Sequence, residues 1–324
     1  VPLVRDAAAL ARIEALLARR NRRINDSQMR QADRPQTARL VDNAVGTAPG
    51  FALQHAGCEF IALPGIPAEF DAMVQAEILA PRRGEAPVLR RALYCFGVME
   101  ADLDQRLGGL HQSFPQVRLQ FQVKFPEVHI GMHAPPAAAA SLDAAFAQAQ
   151  ATLGPDAFAD HRAPASLPQA VLSACVAQGA TLSVAESCTG GLVCDLLTDL
   201  PGSSAAFLGG IVAYDNALKT QLLGVEEASL RSHGAVSEPV VRQMAAQVRA
   251  RLHSTYGLSI SGVAGPGGGS DHKPVGTTWV ALAGPQHTEV RQLKLPFARR
   301  GNKQVAAYTA LDLLRRALLR TGGP

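Results

Sequence analysis

Four side chains in Val184–Leu197 (VAESCTGGLVCDLL) could do chemistry: Glu186, Ser187, Cys188 and Thr189. They stand where an apolar run ends and, past Gly190 and Gly191, a new helical periodicity begins. A strand handing over to a helix leaves free backbone N–H groups and the positive end of a dipole, where an oxyanion or phosphate is stabilised. The two glycines let a ligand approach the backbone closely. Local spacing alone leaves a second reading open, in which Ser187 or Thr189 only caps the helix.

A nucleophilic serine needs a base, and none of the nine histidines stands at a useful place. His233 and His253 fall on helices or loops, and His272 lies in a glycine-rich loop. Lys219, in YDNALK, follows Tyr214 at a strand end and Asn216 at the next helix start. Neighbouring strand exits in an open α/β sheet converge on one crevice, so Ser187 and Lys219 could meet there. A lysine with a burial-lowered pKa serves as a base; an ordinary solvated lysine is the alternative. A working pair would bring Ser187 Oγ and Lys219 Nζ to about 3 Å.

Other motifs say less. GVAGPGGGSDHKPVGTTW carries a glycine-rich loop that matches neither the Walker nor the dinucleotide fingerprint, and a mobile hairpin loop explains it equally. Its Lys273 could reach an anion. Cys188 and Cys194 read as packed thiols. Asp195 and Asp199 read as an exposed helix face, and His129 and His133 (HIGMH) lie in strand context. No metal site is expected.

The positioning elements fall into three stretches. Residues 1–84 open on a helical pattern at Asp6–Arg20, followed by a hairpin ending at Glu59–Leu63 and a helix with Pro67 at its start. The chain begins at Val1 without Met, as one starting inside a domain would. Residues 81–86 (PRRGEA) read as a linker. Residues 85–160 give strand, helix, hairpin and helix, a small α+β domain. Residues 161–168 (HRAPASLP) read as the clearest boundary. Residues 166–324 alternate helix and strand, an α/β domain with helices covering a mixed sheet. In it Ser237 is a plausible helix cap, and the closing helix is expected to start at Gln304.

With 47% hydrophobic and 18% charged residues the chain reads as globular, and a net charge of +4 is too small to argue for nucleic acid. Five cysteines, an odd number without C-x-x-C spacing, fit reduced thiols in the cytoplasm. No stretch reaches membrane-span length. A homo-oligomer acting on a small molecule is expected, with neither nucleic acid nor membrane as partner.

Taken together, AESCTGG, PGSSAAFLGGIVAYDNALK, HGAVSE and SGVAGPGGGSDHKPVGTTW resemble the C-terminal domain of the CinA competence/damage-inducible family, over about residues 166–320. The resemblance implies a nicotinamide-nucleotide amidase that needs no metal or other cofactor. Such an enzyme converts nicotinamide mononucleotide to nicotinic acid mononucleotide and ammonia, recycling pyridine nucleotide. Carried over by motif, Ser187 is the nucleophile and Lys219 the base; on the same motif, Tyr214 is expected in the catalytic set and Asn216 as a substrate contact. Backbone groups of Thr189, Gly190 and Gly191 would hold the oxyanion. Glu186 would orient Lys219 or anchor the turn. Ser261, which stands where the family has Thr, and Gly262 are expected to bind substrate, and the 263–276 loop with Gly265, Pro266, Gly267 and Lys273 to contact the ribose phosphate. Arg299 is carried over as a substrate contact, although Phe297-Ala298-Arg299-Arg300 shortens the family's Phe-x-Gly-x-Arg.

VGTAPGF and LPGIPAEF resemble the second half of the family's molybdopterin-binding-like domain, associated with pyrophosphatase activity on ADP-ribose. The first half, with its Gly-Gly-Leu-Gly-Pro loop, is not in this chain, so the domain is expected to be incomplete and inactive. A divalent metal would belong only there. Residues 85–160 resemble the family's middle domain, a spacer or assembly element. Pyrophosphatase activity and a non-catalytic scaffold are the alternatives to the amidase.

Overall fold

The computed structural model describes residues 1–81, 88–158 and 166–321. Most of the PRRGEA linker and His161–Ala165 of the boundary segment therefore lie outside the described residues. The chain divides into two compact units, Val1–Pro87 and Val88–Pro324.

In the first unit, β1 (Leu3–Arg5) leads into α1 (Ala7–Ala18), whose N-terminus is capped by Asp6 through the N–H groups of Ala8 and Ala9. Ala9, Ile13 and Leu17 recur at helical spacing and form its buried stripe. Then come α2 (Asp26–Met29), β2 (Asp33–Pro35), β3 (Arg39–Val41), β4 (Gly50–His55), β5 (Cys58–Ala62) and α3 (Pro67–Val74). β1 pairs with β2, while β3, β4 and β5 form an antiparallel meander.

The second unit opens with β6 (Leu89–Phe96), α4 (Glu100–Leu107), α5 (Leu110–Ser113), β7 (Arg118–Lys124), β8 (Glu127–Ala134), α6 (Ala139–Leu153) and β9 (Ala157–Phe158). The expected single helix after β6 is broken at Gly108-Gly109, the poorest local helix formers in that stretch. These strands form one antiparallel sheet in the order β7-β8-β6-β9.

There follow α7 (Leu167–Ala177), β10 (Leu182–Glu186), α8 (Leu192–Thr198), β11 (Phe207–Val212), α9 (Asn216–Leu223), α10 (Glu227–His233), α11 (Glu238–Arg251), β12 (Tyr256–Gly262), β13 (Thr277–Ala283), β14 (Thr288–Lys294) and α12 (Arg299–Thr321). The sheet order is β11-β10-β12-β13-β14, with β10 parallel to both neighbours and β12–β14 antiparallel, the mixed sheet the sequence pattern implies.

Strand alternation decides what covers each face. In β12, Tyr256, Leu258 and Ile260 join the core under α7, α8 and α12. Between them, Gly257 and Ser259 face α11: a Cβ on Gly257 would lie 2.3 Å from Ala245 O, and Ser259 Oγ donates to Val241 O at 2.6 Å. Small residues thus let α11 settle directly on the backbone. The same core takes in Tyr94, Phe96 and Phe158 from the four-stranded sheet, so the two sheets of this unit share buried side chains.

Candidate active site

β10 ends at the site. Leu182 and Val184 point into the core under α8, and period two puts Glu186 on that same face. Glu186 is fully buried, and its two carboxylate oxygens accept the N–H groups of Gly191 and Cys194, each at 3.0 Å. The carboxylate therefore caps α8 and closes the turn after β10; it anchors the turn rather than orienting Lys219. Neither Ser187 nor Thr189 is the cap. Gly190 and Gly191 have φ of +64° and +96°, and two consecutive left-handed residues are what this turn demands of glycine.

Ser187 keeps strand register, donating its N–H to Ile260 O at 3.0 Å. Gly190 N–H is held by Ser187 O and Gly191 N–H by Glu186, which corrects the expectation that these two glycines supply oxyanion donors. Thr189 differs. Its N–H enters none of the turn's backbone hydrogen bonds, and its Oγ1 is buried without a partner. Burial pushes the Cys188 thiol up to about 12, so it stays protonated and is no nucleophile.

Lys219 is 1% exposed. β11 runs parallel to β10, and Ala213 N–H reaches Glu186 O at 2.8 Å, which sets the end of β11 beside Ser187. α9 then carries Lys219 back over that end. Its Nζ donates to Ala213 O at 2.9 Å and Tyr214 O at 3.0 Å. Loss of hydration lowers its pKa, partly opposed by Asp215. The expected 3 Å hydrogen bond between Ser187 and Lys219 is not formed; Nζ bonds the two carbonyls instead. Asn216 is exposed at the start of α9, where Asp215 caps through Ala217 N–H.

The opposite wall is the first turn of α12. Arg299 donates to Gly265 O at 2.7 Å and to the Tyr214 hydroxyl at 3.2 Å, joining the glycine-rich loop to the end of β11. Asn302, buried beside it, donates to Ala264 O and accepts from Phe297 N–H. Hydrogen bonds thus tie Arg299 to Gly265 and Tyr214, and tie Lys219 to the Ala213 and Tyr214 carbonyls beside the end of β10.

The CinA C-terminal domain model matches residues 164–318. A CinA-like protein of Gloeobacter violaceus is 41% identical over 333 residues, covering 98% of this chain and 77% of that protein. A CinA-like protein of Geobacter sulfurreducens is 39% identical over 325 residues, covering 98% and 78%. The chain belongs to the CinA family. The crystal structure of competence/damage inducible protein CihA from Agrobacterium tumefaciens is similar to it at 35% identity. That match covers 47% of this chain and 93% of that one, with a TM-score of 0.46.

Other expected contacts sit differently in this CinA chain. Ser261 is buried and donates to Ala235 O at 2.8 Å, fastening the loop before α11 to the end of β12. Ser237 stands at the start of α11, but its hydroxyl turns back to Gly234 O at 2.7 Å instead of capping. Lys273 bonds His233 O at 2.5 Å and so holds the same loop. Gly262 has no room for a side chain, since a Cβ would lie 2.4 Å from Thr278 Oγ1. Pro266 and Gly267 are exposed beyond the Arg299 contact.

Sequence reading missed Lys303. Its Nζ lies 3.8 Å from where a Cβ on Gly190 would be, and its charge acts on the Cys188 thiol. The signal was available, because Lys303 is four residues after Arg299 and shares its helix face.

Among the described residues no group of three or more His, Cys, Asp or Glu could hold a metal ion. In the N-terminal unit the buried Glu69 is hydrogen bonded by Asn43 at 2.7 Å inside the VGTAP loop, a donor set that does not fit a divalent cation. No described helix is long and apolar enough to cross a membrane.

Proposed function

We propose that this CinA-family protein is an amidase that hydrolyses the carboxamide of nicotinamide mononucleotide to nicotinic acid mononucleotide and ammonia. The observation that carries the reading is the setting of Lys219: buried, its pKa lowered, and bonded only to two carbonyls beside the serine turn. A neutral amine has two N–H bonds, which these carbonyls accept, and one lone pair left to take a proton. An ammonium there would have a third N–H to satisfy in a buried place.

Substrate entry brings Ser187 Oγ–H onto that lone pair, since catalytic hydrogen bonds often close only in the complex. Ser187 Oγ attacks the amide carbon while Lys219 takes its proton. The oxyanion is held by Thr189 N–H, which none of the turn's backbone hydrogen bonds occupies. Lys219 then protonates the leaving nitrogen, ammonia departs, and an acyl-Ser187 ester remains. Water adds to it, giving a proton to Lys219, which returns it to Ser187 as the carboxylic acid leaves and ionises in solvent. Arg299 and Lys303 supply positive charge for the phosphate.

The test is ammonia release from nicotinamide mononucleotide. Ser187→Ala and Lys219→Ala should each lose a factor of roughly 100 to 10,000 or more in kcat. An inert wild type, or a Ser187→Ala variant with full rate, refutes the reading.

A further inference from the structure

β7 ends at Lys124 and β8 begins at Glu127, so Phe125 and Pro126 form the tip of a hairpin in the four-stranded sheet. This tip does not stand free. The Phe125 ring lies edge-on to Phe297, with centroids 5.2 Å apart and planes at 72°. Gly301 sits beneath both rings: a Cβ there would fall 2.8 Å from Phe297 Cβ and 3.6 Å from Phe125 Cζ. Both rings are only half-buried, at 45% and 42% exposure, so the contact contributes little to any core.

Its location is what matters. Phe297 precedes the first turn of α12 and Gly301 lies within it. From that turn Arg299 reaches Gly265 and Tyr214, Asn302 reaches Ala264 and the Phe297 N–H, and Lys303 approaches Gly190. Three loops that are distant in sequence depend on this one turn, and Phe125 is packed behind it.

We propose that Phe125 is a positioning residue for the substrate site, a strut from the middle sheet that fixes the α12 turn and hence Arg299 and Lys303. This rests on the amidase reading for its substrate. Ser187 and Lys219 are held by β10, β11 and α9, so losing the strut should weaken capture of the phosphate and leave the chemical step alone.

The experiment compares wild type, Phe125→Ala and Phe125→Tyr with nicotinamide mononucleotide and with nicotinamide riboside, which lacks the phosphate. Hydrogen exchange of the backbone amides of 299–303 is measured on each protein without ligand. In Phe125→Ala the KM for the mononucleotide should rise about three- to tenfold, the effect of one aromatic pair, with kcat within about twofold. The riboside should be unaffected, exchange at 299–303 faster, and the melting temperature unchanged. Phe125→Tyr should restore wild-type values. Unchanged KM or unchanged exchange in Phe125→Ala overturns the strut, as does an equal loss on both substrates. If wild type releases no ammonia, the amidase reading falls by itself. Exchange then decides the strut: faster at 299–303 upholds it, unchanged refutes it.

Discussion

Replacing Glu186 with Gln tests the architecture of the turn most directly. The two carboxylate oxygens each accept one backbone N–H at 3.0 Å in a fully buried place. Glutamine keeps the shape but turns one acceptor into an N–H2 donor, so one helix N–H loses its partner and faces another donor. A hydrogen bond to a charged group contributes roughly 1.5–3 kcal/mol, and the negative charge at the helix N-terminus adds about 0.3–1 kcal/mol. The expected loss is about 3 kcal/mol, or a fall in melting temperature of about 6–12 °C for a unit of this size. The single tryptophan, Trp279, lies in β13 of the same sheet, so its fluorescence in urea reports this transition. The midpoint should fall with the slope unchanged, and kcat should fall as well, because the displaced turn carries Ser187. A Glu186→Gln protein with the wild-type urea midpoint would show that the carboxylate does not hold the turn.

Because burial lowers the pKa of Lys219, the unfolded chain binds a proton that the folded one releases over the window between the lowered value and the ordinary 10.5. Stability from this residue therefore rises with pH through that window, and Lys219→Met should flatten the rise in urea titrations. The kcat/KM of the proposed amidase reaction should likewise rise with pH below the ordinary lysine value and level off once the amine is neutral. Gly276→Ala would bring a Cβ to within 1.9 Å of Leu295 O at a φ of +93°; a loss of about 3 kcal/mol is expected by urea unfolding. Glu127→Ala removes the acceptor of Leu167 N–H and the partner of His129, and should cost roughly 1.5–3 kcal/mol in the same assay.

Much of the site is written locally. An apolar run, a polar cluster and paired glycines marked the turn at Ser187, and Tyr214-x-Asn216-x-x-Lys219 marked a strand exit beside it. What escaped was long-range. Glu186 is a strand residue by position and a helix cap by function, and only the pleat tells which helix it faces. The start of α12 at Arg299, ahead of the expected Gln304, has no capping Ser, Thr, Asp or Asn next to it. It is held by Arg299 and Asn302 bonding to carbonyls of Gly265 and Ala264, more than thirty residues away. Ser237 shows the converse: a good cap by type, drawn off by the Gly234 carbonyl.

Tyr94, Phe96 and Phe158 are buried among side chains of α7 and α12, and Glu127 accepts the first N–H of α7. Arg315 binds Pro155 O and stacks on Phe158, while Arg316 binds Asp156. Val88–Pro324 should therefore unfold as one cooperative unit, and a chain begun at residue 166 would bare an apolar seam along α7 and α12. Heat should melt both sheets in a single transition, and cutting between them would yield two pieces that stay together until denatured.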